Sequence, residues 1–246
     1  MINFFARKNY LVDSLSNFVD IHNHILPGID DGAKTVDDSL ALLKGFDEIG
    51  IRKFIATPHI MHNFYDNDRE SINDSLERLK SALLEHKMKD FAIEASAEHM
   101  IDDNFESLLD DGGEMPLRKD YILVEMSYLQ PSINFDEAII KIAQKGYYPI
   151  LAHPERYIYL KGRMRRLSEY KSRGIQFQLN LLSLGEYYGS DTYSNALKIL
   201  DAGLFDFVGT DIHNLNQLNA LKEMKLSKRV HKKVLPLIYN TIEDFY

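Results

Sequence analysis

The sequence has no cysteine among its 246 residues. A disulfide framework and a Cys-ligated zinc site are therefore excluded. A thiolate nucleophile is excluded as well. Basic residues are also in short supply: 29 Lys and Arg stand against 37 Asp and Glu, a net charge of −8. A chain that held nucleic acid by neutralising its backbone would show the opposite balance. A phosphorylated substrate is still compatible, because bound cations invert the field inside a site. No run approaches the ~20 mostly apolar residues of a membrane span. The segment from Met1 to Leu15 is broken by Arg7, Lys8 and Asp13, and it lacks the apolar centre of a signal peptide. The expectation is a cytoplasmic protein with no membrane insertion and no nucleic-acid partner.

What the sequence does contain is alternation. Short runs rich in Val, Ile, Phe and Tyr lie at 18–25, 53–57, 91–95, 121–125, 148–152, 175–179 and 205–209. Several are apolar on consecutive positions, which suits strands buried on both faces of a parallel sheet. Helical patterns lie between them. Thr35 with Asp38 three residues on is a helix-start signal, followed by Leu40, Leu43, Phe46 and Ile49 at helical spacing and by Gly50 as a stop. Asn134 with Glu137 opens another helix ending at Gly146, and Ile72, Leu76, Leu79 and Leu83 mark a third. Gly174 and Gly203 fall where two more should stop. Strand then helix, about seven times over, predicts an α/β fold, either a parallel barrel or a doubly wound sheet. The length suits one domain over residues 1–246, with 1–17 as an N-terminal extension.

In both architectures, chemistry gathers at the C-terminal ends of the strands. Chemically able residues do follow the strand runs: His22 and His24, His59, Glu98, Glu125, His153, Asn180, then Asp211 and His213. The set is imidazole and carboxylate with no sulfur, which suits Mn, Zn or Fe. His22 and His24, two apart on a strand, share a face and can grip one ion; Asp211 and His213 repeat that spacing. The set exceeds the needs of one ion, so two or three are expected, with a carboxylate as bridge. Taken singly, a His-x-His pair, Glu98, Glu125 or His59 reads equally well as structural. Their joint placement at strand exits favours a site. His99 should point away from Glu98 and be structural, and His62 lies in a loop. His86 and His231 read as surface residues, and Lys228, Arg229, Lys232 and Lys233 as a solvated helix face. Arg156, just past His153, reads either as a salt-bridge partner or as a planar fork for phosphate oxygens.

The stretch Asp20-Ile-His-Asn-His-Ile-Leu-Pro-Gly-Ile-Asp-Asp-Gly-Ala-Lys-Thr35 resembles the opening motif of the bacterial metal-dependent protein-tyrosine phosphatases of the polymerase-and-histidinol-phosphatase superfamily, the branch associated with capsule and exopolysaccharide synthesis. Ala56-Thr-Pro-His59, Val124-Glu-Met126, Leu151-Ala-His-Pro-Glu-Arg156 and Gly209-Thr-Asp-Ile-His-Asn214 resemble its later motifs, in order. The resemblance implies a distorted, TIM-like barrel of seven βα units. It also implies three divalent ions, most often Mn2+, with Fe, Zn or Mg as alternatives. By analogy His22, His24, Glu98 and Asp211 would hold one ion. Asp31, His59 and His213 would hold a second, with Asp31 preferred to Asp30 because it directly precedes Gly32. Glu98, as bridge, with Glu125 and His153 would hold the third. Arg156, Asp211 and His213 would form the catalytic set. The reaction implied is hydrolysis of phosphotyrosine on a protein, such as a tyrosine kinase of polysaccharide export, by a hydroxide bound between metals. One departure stands out: some relatives carry an arginine after the Asp-x-His motif, where this chain reads Asn214-Leu-Asn-Gln-Leu218. Two other readings remain at this level. One is a phosphoesterase for a small molecule such as histidinol phosphate. The other is a non-catalytic metal-binding regulatory module.

Overall fold

The computed structural model describes residues 9–246. Residues 1–8 of the expected N-terminal extension lie outside the described residues. The strands are β1 (Asn9–Tyr10), β2 (Val19–Asp20), β3 (Lys53–Ala56), β4 (His59–Ile60), β5 (Ala92–Ala95), β6 (Glu98–Met100), β7 (Tyr121–Glu125), β8 (Tyr148–Ala152), β9 (Gln176–Asn180), β10 (Phe207–Gly209) and β11 (Lys225–Leu226). The helices are α1 (Val36–Asp47), α2 (Arg69–Glu85), α3 (Phe105–Asp110), α4 (Phe135–Gln144), α5 (Met164–Ser172), α6 (Ser190–Asp201), α7 (Leu215–Glu223) and α8 (Lys228–Phe245). Thr35 and Asp38 form the expected reciprocal cap on α1.

Two parallel sheets carry the site. One runs β10-β9-β8-β7-β6-β4 and the other β2-β3-β5. They are halves of one curved wall. The second and third expected strands, 53–57 and 91–95, appear as β3 and β5, and each line continues past an interruption, at Thr57-Pro58 and at Ser96-Ala97, into a further short strand that was not expected, β4 and β6. β3 and β5 pair with each other and β3 pairs with β2; β4 and β6 pair with each other and β6 pairs with β7. A proline has no N–H to give to a ladder, so Pro58 suits such a break. The wall curls until its ends meet. Asn23 lies opposite Ile212, His24 N donates to Ile212 O at 3.0 Å, and Asp211 N donates to His22 O at 2.7 Å. The result is the distorted α/β barrel that the motifs imply, with a short seam in place of a full closing ladder.

The first expected strand, 18–25, is the one most changed: its ladder covers only Val19–Asp20. Beyond Asp20 the chain is held by side chains. Asn23 Nδ2 donates to Asp20 O and to Ile55 O, and Thr57 Oγ1 accepts from Asn23 N. These bonds satisfy backbone groups that a ladder would otherwise take.

Strand alternation divides the wall into two faces. Ile122 and Val124 of β7 join the large core packed under the helices, whereas Leu123 joins a smaller cluster with Ile55, Ile150, Phe207 and Phe245. Glu125 shares the face of Leu123. The polar site thus stands on an apolar floor, as in other barrels, where packed side chains fill the interior beneath the active end. Leu11 and Leu15 of the extension are fully buried in the large core, and β1 pairs antiparallel with β11.

Candidate metal centre

His22, His24, His59, Glu98, Glu125, His153 and Asp211 are all buried, and they gather at one end of the barrel with His213 and the half-exposed Asp31 at its mouth. Their donor atoms fall into three groups that could each hold a cation: His22, His24, Glu98 and Asp211; His24, Asp31, His59 and His213; His59, Glu98 and Glu125. Glu98 Oε2 is the hub. It lies 3.2 Å from His22 Nε2, 3.5 Å from His24 Nε2 and 3.2 Å from His59 Nδ1.

Two observations test whether these residues fit metal. The first is that His22 Nε2, His24 Nε2, His59 Nδ1, Glu98 Oε2 and Glu125 Oε1 are buried and make no hydrogen bond. They are close, yet they aim at common points and not along one another's donor directions. A buried polar atom without a partner costs ~1–3 kcal/mol, so such a cluster is hard to explain without a cation. Two ligands each ~2.1 Å from one ion stand ~3.0–3.4 Å apart, close to the separations seen here. The second is that the outward imidazole nitrogens are committed. His22 Nδ1 donates to Gln178 Oε1 at 2.9 Å, and Gln178 is oriented by its own Nε2 donating to Leu179 O at 2.7 Å. His24 Nδ1 donates to Asp30 Oδ2 at 2.7 Å. His213 Nδ1 donates to Asp211 O at 3.0 Å. Each bond fixes the tautomer and turns an Nε2 lone pair inward, as metal-binding histidines require. The residues fit.

Asp30 and Asp31 thus play different parts. Asp30 is buried and spends one oxygen on His24 and the other on Gly32 N. Asp31 Oδ1 stands 3.4 Å from both His59 Nε2 and His213 Nε2. The geometry departs from the expected grouping at two points: His24 also falls in the group of Asp31, His59 and His213, and His59 Nδ1 approaches Glu125 Oε1 at 2.9 Å, while His153 Nε2 reaches the other oxygen of Glu98 at 3.0 Å.

The backbone is shaped around these ligands. His153 (φ 35°) and Asp211 (φ 52°) both adopt the left-handed region at strand exits, where non-glycine residues are uncommon and strain collects at functional sites. Two glycines allow close approach. A Cβ on Gly32 would lie 2.2 Å from His24 O, and one on Gly209 would lie 2.7 Å from His22 Cβ.

Electrostatics follow from burial and proximity. Burial works against a charged His22, but the Glu98 and Asp211 carboxylates outweigh it and raise its pKa to about 9. Burial likewise opposes a charged His24, and Asp30 and Asp211 raise it to about 9. Burial would raise Glu98 and Asp211; the surrounding imidazoles instead hold both well below the ordinary carboxylate range. His22 and His24 are thus poised as imidazolium beside the Glu98 and Asp211 carboxylates in the absence of a cation, whereas burial lowers His153.

Arg156 lies beside the cluster. Its Nη1 donates to Asp211 Oδ2 at 2.6 Å, and Asn180 Nδ2 donates to the same oxygen at 2.8 Å. Its guanidinium is stacked by Tyr128, 4.5 Å to the ring centroid, and by Tyr188, 4.1 Å. Arg156 thus has the carboxylate partner of one expected reading, and it lines a cleft of about 820 Å3 together with Asp31, His59, Tyr128, Tyr188, Asp211 and His213.

Residues read as peripheral behave so. His99 faces away, its Nδ1 donating to Leu123 O and its Nε2 accepting from Met115 N. His62 and His86 are exposed. His231, read as a surface residue, is instead half-buried, with Nε2 2.7 Å from Ser14 Oγ. Tyr157 is core, its hydroxyl bonded to Ala152 O and Met126 N. Gln178, Tyr128 and Tyr188 did not stand out in the sequence. Gln178 shares a strand face with Asn180 two residues on, which is the one local signal that could have found it.

The family model for capsular polysaccharide synthesis, CpsB/CapC, matches residues 18–237. The chain belongs to this family. It is 28% identical to the putative tyrosine-protein phosphatase CapC of Staphylococcus aureus over 228 residues, covering 92% of this chain and 88% of CapC. It is 29% identical to the tyrosine-protein phosphatase YwqE of Bacillus subtilis over 202 residues, covering 82% of this chain and 79% of YwqE. Among solved structures it resembles one described with YwqE from B. subtilis and CpsB from Streptococcus pneumoniae as unique metal-dependent tyrosine phosphatases. The TM-score is 0.75 and the identity 26%, over 90% of this chain and 94% of that one.

Proposed function

We propose that this protein is a metal-dependent protein-tyrosine phosphatase serving capsular or exopolysaccharide synthesis in the cytoplasm. Its substrate would be a phosphotyrosyl protein such as the tyrosine kinase of polysaccharide export. The observation that carries the reading is the convergence of unpartnered buried donors on Glu98 Oε2 at the floor of an open cleft walled by Arg156 and tyrosines. Membership in CpsB/CapC and the names of its relatives support it. Among the described residues no helix is long and apolar enough to cross a membrane.

The ligand set is His22, His24, Asp31, His59, Glu98, Glu125, His153, Asp211 and His213, for three divalent ions, with Mn2+ the expected species. When bound, such ions lower the pKa of a coordinated water toward ~7 and neutralise charge on phosphoryl oxygens. The chain's own residues do the rest. Gln178 and Asp30 hold the His22 and His24 rings in register. Asn180 keeps Asp211 Oδ2 oriented, so the Arg156 guanidinium can turn an N–H edge toward a phosphoryl oxygen without leaving Asp211 unsupported. Arg156 then stabilises charge as it develops. A phenolate leaving group, with a pKa of ~10, needs less proton donation than an alkoxide. With no cysteine, a phosphocysteine route is closed.

The test is turnover of a phosphotyrosyl peptide and of histidinol phosphate by the purified protein, with added Mn2+ and with chelator. Chelator-sensitive hydrolysis of the peptide is expected. Hydrolysis of histidinol phosphate alone would favour the small-molecule reading, and a metal-loaded protein that turns over neither would favour a regulatory module.

A further inference from the structure

The mouth of the cleft carries a feature that metal chemistry does not require. Phe64 and Leu129 both line it, and each is 77% exposed. Isolated exposed apolar residues are ordinary, but these two face one opening from separate loops, and both loops are fixed in place. The turn bearing Phe64 is closed by Met61 N–Tyr65 O and Tyr65 N–Met61 O bonds and by Asn63 N donating to Asp66 Oδ1. The loop bearing Leu129 is pinned where Ser132 Oγ donates to Ile101 O. One residue joins the two loops. Asp102 accepts from His62 N through Oδ2 and from Asn134 Nδ2 through its backbone oxygen. The two apolar side chains are thus held at set positions on a preformed rim, and among the described residues nothing covers them. The same lining also carries two carboxylates, Asp102 and the exposed Asp103.

We infer that Phe64 and Leu129 grip the residues flanking the phosphotyrosine, and that the preferred substrate has apolar neighbours there in place of acidic ones. The inference rests on the phosphatase reading, since the occupant of the rim is the substrate whose phosphate enters the cleft. Continuity of the rim with the cleft and the like charge of Asp102 and Asp103 identify that occupant. An apolar side chain next to the phosphotyrosine gains a desolvated contact on Phe64 or Leu129. A carboxylate in that position meets like charge and gains none.

The experiment compares wild type, Phe64→Ser and Leu129→Ser, each Mn2+-loaded, on p-nitrophenyl phosphate and on two phosphotyrosyl peptides that differ only in having Leu or Asp beside the phosphotyrosine. Wild type should prefer the Leu peptide by about fivefold or more in kcat/KM, the size of a modest interface anchor. Both variants should shrink that preference through KM, with kcat for the Leu peptide near wild type. Melting temperature should not change, because both side chains are exposed. Equal treatment of the two peptides by wild type, or a preference that survives in both variants, overturns the inference. Failure of wild type to hydrolyse even p-nitrophenyl phosphate is a separate result, and it removes the phosphatase reading together with the rim.

Discussion

Replacing Arg156 by alanine isolates the phosphate clamp from the metal ligands. The structure sets the magnitude. Arg156 is largely buried, and burial would weaken its charge, yet Asp211 and the two tyrosine rings keep it firmly protonated. A guanidinium so placed makes one or two charge-assisted hydrogen bonds to a phosphoryl group, each contributing about 1.5–3 kcal/mol. One such bond corresponds to about a ten- to hundredfold loss in kcat/KM at ~1.4 kcal/mol per decade. Collateral damage should be small, because Asn180 Nδ2 still holds Asp211 Oδ2 at 2.8 Å after the arginine is gone. Arg156→Lys should recover only part of the loss, since an ammonium supplies neither the planar fork nor the double stack on Tyr128 and Tyr188. The assay is steady-state hydrolysis of a phosphotyrosyl peptide under saturating Mn2+, with metal content measured on the same samples. Wild-type kinetics in Arg156→Ala would refute the clamp and leave Arg156 as a salt-bridge partner of Asp211. A loss of activity matched by a loss of metal would refute the separation of roles.

Three further outcomes are expected. The double substitution His22→Ala with His24→Ala should abolish both metal retention and turnover while leaving the circular dichroism spectrum native; full activity without detectable metal would remove these residues from the site. Because His22 and His24 are raised to about 9 in the metal-free chain, cation entry at pH 7 must expel protons, and affinity should climb as the pH rises toward 9. Calorimetry in buffers of different ionisation enthalpy reads that release directly, and buffer-independent heats would contradict it. For the metal-free fold the sign reverses: the stability these raised histidines contribute is complete below their ordinary pKa of ~6.5 and is lost as pH rises through about 9. Gly32→Ala forces a methyl group to within 2.2 Å of His24 O; overpacking of this kind costs about 1–3 kcal/mol, so a lower melting temperature and reduced metal occupancy are expected, whereas an unperturbed variant would mean the loop yields freely.

The legibility of the sequence varied by element for physical reasons. β7 and β8 fall on the expected residues because both are buried on two faces and their Val, Ile and Leu content leaves little alternative. The opposite facing of Glu98 and His99 follows from strand alternation alone, and the structure shows it. The apolar run through Ile25 suggests a longer ladder than β2 makes, because it hides a bend whose backbone is held by the Asn23 side chain. The double break at Thr57-Pro58 and Ser96-Ala97 had only Pro58 as a local sign. The partners of the ligands were the least legible part. Gln178 meets His22 across 156 positions, and the aromatic stack on Arg156 draws on Tyr128 and Tyr188 from two different loops. No local pattern encodes such meetings; they are products of the closed wall.

That wall closes at a seam with a temporal consequence. His22 and His24 lie on one side and Asp211 and His213 on the other, and Thr210 Oγ1 reaches Asp20 Oδ2 at 2.6 Å across 190 positions. A ribosome-bound chain therefore displays its first two histidines long before the residues that complete their coordination have been made. During synthesis they are ordinary imidazoles, and the centre comes into being only when the last strand docks. Cation capture would then mark the end of folding and not its beginning, and a chain cut short before residue 210 would carry most of the donors yet no finished centre.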